Sequence, residues 1–312
     1  MGSDAEVTTV EPGGLPPLRS HLYAPGNNEK LLGRVFEAGA DAVVLDLEDA
    51  VPLAEKERAR ELVAAVVMAR AGERSPAVFV RVNHPSTGLT DAEVTAVVRP
   101  GLAGIRMPKT ENSDEVRQLA VWITAAERAA GLPTGSVALI PIIESAKGVW
   151  YAEEIAAADP RVLALAFGAA DFVRDLELRP STEGAETLYA RSRLVLASRV
   201  TRVRPPIDSV LTRLDDEKSL HAEAMQARAL GYFGKSAIHP RQLPVIHEAF
   251  TPTESEIVHA RAIVAAEEEA ELTGSGATTT GSAERAGREF VDIAVVRRAQ
   301  QTLTLAERLG IG

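Results

Sequence analysis

Two stretches of the chain share one design. Residues 138–148 read ALIPIIESAKG: an Ile-rich apolar run breaks off at Glu144, and small residues follow. Residues 163–171 read LALAFGAAD, again an apolar run, then small residues and one acid, Asp171. Short unbroken apolar runs of this kind are how strands buried on both faces of a parallel sheet read. Six further segments predict strands: Ser20–Ala24, stopped by Pro25-Gly26; Ala42–Asp46; Val78–Asn83; Gly104–Lys109; Pro205–Val210; and Gly231–Pro240 with its loop. Helical patterns lie between them. Asn27 or Asn28 caps a helix through Leu32 and Phe36 that Gly39 ends, and Pro52 starts one that runs to about Arg70. Others cover Asp91–Val98, Ser113–Gly131 with a Ser-x-Glu-Val capping pattern, Glu186–Arg202 and Asp216–Leu230.

Strands alternating with helices across residues 19–250 predict an α/β fold, a (β/α)8 TIM barrel. The alternative parallel fold, a doubly wound open sheet, would more often carry a Gly-rich phosphate turn after its first strand, and no GxGxxG or GxxxxGK[ST] occurs. Polar residues recur at the strand ends, and in a barrel those ends meet on one face, where barrel enzymes place their sites. Residues 1–18, rich in Thr, Gly and Pro, read as a disordered N-terminal tail. From residue 251 the pattern changes to a C-terminal helical lid or arm, 251–312. Glu254–Leu272 is an Ala-rich helix, Gly274–Gly287 a mobile Gly/Ser/Thr-rich loop, and a last helix runs to about Leu309.

The net charge of −10 argues against nonspecific nucleic-acid binding, which needs clustered Lys and Arg. The absence of cysteine excludes disulfides, thiolate metal sites and a Cys nucleophile, and is compatible with a cytoplasmic protein. No apolar run approaches a membrane span, and the N-terminus lacks the basic start and apolar core of a signal peptide.

The candidate chemistry sits at the strand ends. An acid just past a strand can cap the next helix, and for either acid alone that is the expectation. Two acids in matched settings, Glu144 and Asp171, suit Mg²⁺ instead, which takes one or two carboxylates and leaves its other positions to water and substrate. Arg81 ends the third strand, and Asp46, Glu48 and Asp49 cluster at the end of the second. Glu48 and Asp49 hold metal-bound waters or orient Arg81, or else form a capping or rim salt bridge. Asp46 orients its neighbours. Arg19, beside the first strand, pairs with acids or with substrate. Lys235 is a candidate substrate-binding cation, or a solvated loop lysine. His21 is a candidate core histidine, and His239 braces its loop.

These motifs resemble the citrate lyase β-subunit-like (CitE-like) family of the HpcH/HpaI aldolase superfamily. The stretches concerned are Arg19-Ser-His-Leu-Tyr-Ala-Pro-Gly26, Asp46-Leu-Glu-Asp-Ala-Val51, Val80-Arg-Val-Asn83, Ile142-Ile-Glu144, Gly168-Ala-Ala-Asp-Phe172 and Gly231-Tyr-Phe-Gly-Lys-Ser-Ala-Ile-His-Pro240. The resemblance implies a Mg²⁺-dependent carbon–carbon lyase for a short 3-hydroxyacyl-CoA of the malyl-CoA or citramalyl-CoA type, giving acetyl-CoA and a 2-oxoacid, or the reverse condensation. It implies Glu144 and Asp171 as metal ligands, Arg81 as the active-site cation, and a homotrimer or dimer of trimers. In that assembly a C-terminal lid brings Asp292, from Phe290-Val-Asp-Ile293, over a neighbour's site as proton donor. The same metal and acids would serve a malyl-CoA-type thioesterase, or a citrate lyase β-like subunit acting on an acyl-carrier partner.

Overall fold

The computed structural model describes residues 15–73, 76–181, 184–273, 278–279, 290–291 and 293–311. The chain divides into two compact units, Met1–Ala249 and Phe250–Gly312. In the first, eight parallel strands run β1 Ser20–Pro25, β2 Ala42–Asp46, β3 Ala77–Arg81, β4 Leu102–Met107, β5 Ala138–Ile143, β6 Ala164–Phe167, β7 Arg204–Ile207 and β8 Lys235–Ala237. Each pairs with its sequence neighbour, and β1 also pairs with β8. A parallel bridge between Asp208 and Lys235 closes the ring. There the Asp208 amide donates to the Gly234 carbonyl, and the Ser236 amide to the Asp208 carbonyl, both at 2.9 Å. The expected barrel is present.

The helices of this unit are α1 Glu29–Arg34, α2 Lys56–Ala69, α3 Thr90–Val97, α4 Ser113–Ala129, α5 Ala146–Trp150, α6 Ala152–Ala156, α7 Ala169–Asp175, α8 Leu188–Thr201, α9 Glu217–Leu230 and α10 Leu243–Phe250. Asn28 caps α1 by accepting from the Leu31 amide. The cap of α4 falls one residue earlier than the sequence pattern placed it. Asn112 accepts from the Glu115 amide, while the Glu115 carboxylate reaches back to the Asn112 side chain and the Glu111 amide. Asn and Ser are near-equal caps, so the choice went to the residue whose backbone is extended, and that is Asn112.

Alternate strand residues fill the barrel interior. Ala42 and Val44, Ala77 and Phe79, Ala138, Ile140 and Ile142, and Ala164 and Ala166 form one cluster. Leu18 belongs to it, and Leu15 packs against it. Residues 15–18 therefore do not continue the disordered tail expected for 1–18, because two leucines gain more from the barrel interior than from water. Residues 1–14 lie outside the described residues. Charged pairs brace the N-terminal end of the strands. Arg19 grips Asp41 with two bonds of 2.8 Å, and Arg161 grips Glu127, which is fully buried.

In the second unit, α11 Glu254–Thr273 and α12 Ile293–Arg308 pack through Ala260, Ile263, Val296 and Ala299. Between them β9 Thr278–Thr279 pairs antiparallel with β10 Phe290–Val291. The expected loop at 274–287 thus contains one strand residue pair, and the rest of it lies outside the described residues, as does Asp292. No helix among the described residues is long and apolar enough to cross a membrane.

Candidate active site

One cavity of about 280 Å³ opens at the C-terminal ends of the strands. Its polar lining includes Tyr23, Asp46, Arg81, Arg106, Glu144, Asp171, Ser209 and Ser236, and its apolar lining includes Ile142, Ala166 and Phe167.

Strand register brings these groups together. On β2 and β3, Asp46 and Arg81 are direct partners, so their inward side chains meet. Arg81 Nε and Nη2 bond the two Asp46 oxygens at 2.7 and 2.6 Å, and Nη1 lies 2.9 Å from Glu48 Oε2. Asp46 also accepts from the Glu48 and Ala50 amides. It is thus a holder of Arg81 and of the turn after β2, and its oxygens are saturated. Glu48 meets Lys109 on its other oxygen. Burial pushes the Glu48 pKa up, against the pull of Arg81 and Lys109. Asp49 stands exposed, 3.4 Å from Lys109 Nζ. Glu48 lies against the guanidinium from behind, and Asp49 joins the cluster at Lys109 and Glu48.

Glu144 continues the inward phase of Ile140 and Ile142 past the end of β5. Ser145 caps α5, its hydroxyl accepting from the Gly148 amide, so the Glu144 carboxylate is left to the cavity. It is 6% exposed. Its Oε1 accepts from the Lys109 amide at 2.6 Å. Burial first, and then the charge of Asp171, push its pKa up to about 7. Asp171 lies in the first turn of α7 and is paired with Arg174. Two neighbouring carboxylates in one cavity, with no His or Cys among its lining residues, form the donor set a hard divalent cation takes. Among the described residues no group of three or more His, Cys, Asp or Glu is arranged to hold a metal ion, so water or substrate would complete such a shell.

Two backbone features hold Glu144. Lys109 adopts φ 52°, a left-handed conformation that turns its N–H onto the carboxylate. Such strain in a non-glycine residue persists where the surroundings over-determine it. Across the sheet, Ile142 pairs with Ala166, which puts Gly168 beside Glu144. A Cβ on Gly168 would lie 2.4 Å from Glu144 Oε2 and 2.7 Å from its Cβ. Gly168→Ala is therefore expected to displace the carboxylate and weaken Mg²⁺ binding at least about tenfold with the melting curve little changed. Calorimetric titration with Mg²⁺ checks this, and unaltered affinity would refute it.

Two expected binding residues lie elsewhere. Arg19 precedes β1, at the opposite end of the barrel from the cavity, and its guanidinium is engaged by Asp41. Lys235 is no loop residue: it is 1% exposed on β8 and points outward, because its neighbour Ser236 lines the cavity. Its ammonium bonds Asp208 at 2.8 Å and Glu223 of α9 at 3.1 Å, so it clasps the barrel seam. His239 caps the short turn at Pro240, accepting from the Arg241 amide. His21 is fully buried beside Phe79 in the barrel interior. Burial, then the charge of Arg106, holds it well below the ordinary histidine pKa.

Sequence reasoning passed over Lys109 and Arg106. Both stand in the fourth predicted strand, Gly104–Lys109. A signal existed at Arg106, since a cation two residues inside an apolar run is costly unless it serves something.

The HpcH/HpaI aldolase/citrate lyase family description matches residues 19–240. The citrate lyase subunit beta of Leuconostoc mesenteroides is 37% identical over 92% of this chain and 93% of its own. The L-malyl-CoA/beta-methylmalyl-CoA lyase of Cereibacter sphaeroides is 33% identical over 94% of this chain and 96% of its own. Among solved structures, protein CitE from Mycobacterium tuberculosis, in complex with magnesium, acetoacetate and coenzyme A, is 28% identical with a TM-score of 0.73, covering 94% of this chain and 98% of that one. With the barrel, the acid-lined strand ends and relatives matched along nearly their whole length, the chain belongs to the HpcH/HpaI aldolase/citrate lyase family and is a lyase.

Proposed function

We propose that this enzyme cleaves a short 3-hydroxyacyl-CoA into acetyl-CoA and a 2-oxoacid, or runs the reverse condensation, with Mg²⁺ held by Glu144 and Asp171. The observation that carries the reading is the pairing, in one cavity, of two crowded carboxylates with a guanidinium fixed by Asp46 and Glu48. The names of the malyl-CoA lyase relative and of the CoA-bound structural neighbour support the substrate class.

The bond to be broken joins the hydroxyl-bearing carbon to the carbon beside the thioester. The hydroxyl proton passes to water in the cavity, the carbon–carbon electron pair moves onto the carbon beside the thioester as its enolate, and the oxoacid leaves with its new carbonyl. When bound, Mg²⁺ would act as Lewis acid and template for the oxygens of the oxoacid half. Arg81 supplies a permanent positive charge where negative charge builds on the thioester oxygen, and its carboxylate partners hold it in place beforehand. Lys109 and Gly168 fix Glu144. Asp292, carried by the C-terminal segment of a neighbouring subunit, would protonate the resulting carbon; its role rests on the family resemblance.

A mass-spectrometric product scan tests the reading. The protein is incubated with Mg²⁺ and malyl-CoA, citramalyl-CoA, 3-hydroxy-3-methylglutaryl-CoA and the corresponding free acids. Acetyl-CoA with a 2-oxoacid, lost on chelation, is the expected result; free CoA with intact hydroxyacid would mean a thioesterase. The name "subunit" borne by the citrate lyase relatives favours a second reading, a β-like subunit served by an acyl-carrier partner. Silence toward every free CoA thioester would select it. Asp292→Asn is expected to bind CoA thioesters but cleave them at least about 10²-fold more slowly. In mixed oligomers with an Arg81 variant, activity should partly return, and its absence would confine Asp292 to its own chain's site.

A further inference from the structure

Helix α7 carries Asp171 to the cavity and has no cap of its own. Its N-cap is Gly168, which has no side chain to offer. The glycine is required, because a Cβ there would strike the Glu144 carboxylate. Asp171 is the third residue of the helix, the place from which an acid reaches back to the N-cap amide. That amide is taken, since Gly168 donates it to the Ile143 carbonyl at 3.0 Å. Asp171 is thereby released from capping. Its ion-pair partner, Arg174, is mostly exposed and stands one turn further on, a pairing worth little in water.

The missing cap comes from another strand. Ser209 lies just past β7 and lines the cavity, and its hydroxyl accepts from the Ala169 amide at 3.1 Å. The place of Ser209 is set in turn by buried charges that the reaction does not use. Asp208, the residue before it, accepts from the Lys235 ammonium at 2.8 Å and lies 3.2 Å from Arg191 Nη2 of α8. All three are nearly fully buried. Arg191 donates to Gln226 of α9 at 2.7 Å, and its carbonyl accepts from the Tyr232 hydroxyl at 3.2 Å. The Asp208 backbone is bonded on both sides across the seam, to Gly234 and Ser236. Apolar residues of the same volume would fill this space at no greater cost, so stability alone does not account for the cluster. The position it fixes does. At the other end of α7, Asp175 accepts from the Ala146 amide at 2.8 Å, which ties the helix to the loop after Glu144. Ser209 holds the end that remains.

We propose that Ser209 is a positioning residue for the cation site. Held by the Asp208–Lys235–Arg191 cluster at the barrel seam, it caps α7 from outside the helix and so fixes Asp171 relative to Glu144. This rests on the reading of those two acids as cation ligands. Closure of the barrel and assembly of the site are then one event, because the charges that join β7 to β8 also set the first turn of α7.

The test compares full-length wild type, Ser209→Ala and Ser209→Thr. Each is titrated calorimetrically with Mg²⁺. Without metal, each is followed by amide hydrogen exchange over residues 168–175 and by thermal melting. Ser209→Ala is expected to weaken Mg²⁺ binding about tenfold, the lower end for a partner that orients a ligand. Exchange over 168–175 should quicken about fivefold, the size of one lost cap, and melting should fall by no more than about 4 °C. Ser209→Thr keeps the hydroxyl and should restore both affinity and exchange. Faster exchange with unchanged Mg²⁺ affinity would make Ser209 a structural cap and overturn the proposal. Unchanged exchange would overturn it as well, and so would an affinity lost equally in both variants, which would trace the effect to packing. A wild type that binds no Mg²⁺ would remove the metal reading and this inference with it, whereas wild-type binding that Ser209→Ala retains would remove the inference alone.

Discussion

Glu144→Gln and Asp171→Asn are each expected to abolish Mg²⁺-dependent turnover while leaving the barrel folded. Outer-shell partners of a bound metal are already worth about 10–100-fold, so loss of one of two carboxylate ligands should exceed about 10²-fold in kcat/KM and remove measurable Mg²⁺ binding. The glutamine is nearly isosteric and keeps an oxygen to accept from the Lys109 amide, so packing beside Gly168 survives. Without metal the variant should melt at or above the wild-type temperature. In the metal-free protein, burial and the neighbouring Asp171 both oppose the Glu144 charge, and glutamine removes it. Calorimetry with Mg²⁺, a melting curve and a turnover assay together check this. Full turnover in either variant would refute the metal assignment, and a collapsed melting curve would make the residue structural.

Arg81→Lys is expected to lower kcat/KM by about 10²–10³, the range seen when a positioned transition-state donor is removed. The charge is kept, so the loss would come from geometry. Arg81 holds both Asp46 oxygens through Nε and Nη2 while Nη1 turns to Glu48, three directions in one plane. A lysine ammonium is a single point with tetrahedral donors and cannot satisfy all three and still face substrate. Asp46 is almost fully buried and would lose part of its partnership, so melting should fall as well. The effect should appear mainly in kcat, because the charge it answers develops only as the bond breaks. A near-normal rate would take Arg81 out of the mechanism.

Much of the barrel is legible in the chain because burial on both faces leaves an unbroken apolar signature. The run Ala42–Asp46 coincides with β2, and the apolar stretch from Ala138 predicts β5 with its acid immediately after. Helix ends follow local chemistry, and the one-residue shift at Asn112 reflects two competent caps side by side. The facing of charged residues is another matter. On a strand with polar residues at both phases, composition does not say which points inward. Lys235 and Ser236 illustrate this: the register of β8 against β1 sends the lysine to Asp208 and Glu223 and the serine to the cavity.

For Arg19 the end of the strand was legible and the partner was hidden. It precedes β1 and so belongs to the end of the barrel away from the cavity, where Asp41 waits. Because Arg19 stands before the predicted strand Ser20–Ala24 and barrel sites gather at the C-terminal strand ends, that end follows from chain order, and only the Asp41 partner came from the tertiary structure.

Local residue chemistry alone determined the order of strands and helices, the barrel class, and which acids close β5 and follow β6, because these follow from periodicity and from interruptions in apolar runs. Only the tertiary structure decided that Asp46 saturates Arg81, that Lys109 and Gly168 lock Glu144, and that Arg106 stands beside Arg81 without a counter-ion. Those relations span strands far apart in sequence. They are set by register and closure of the sheet, and a local pattern of residue types carries no information about either.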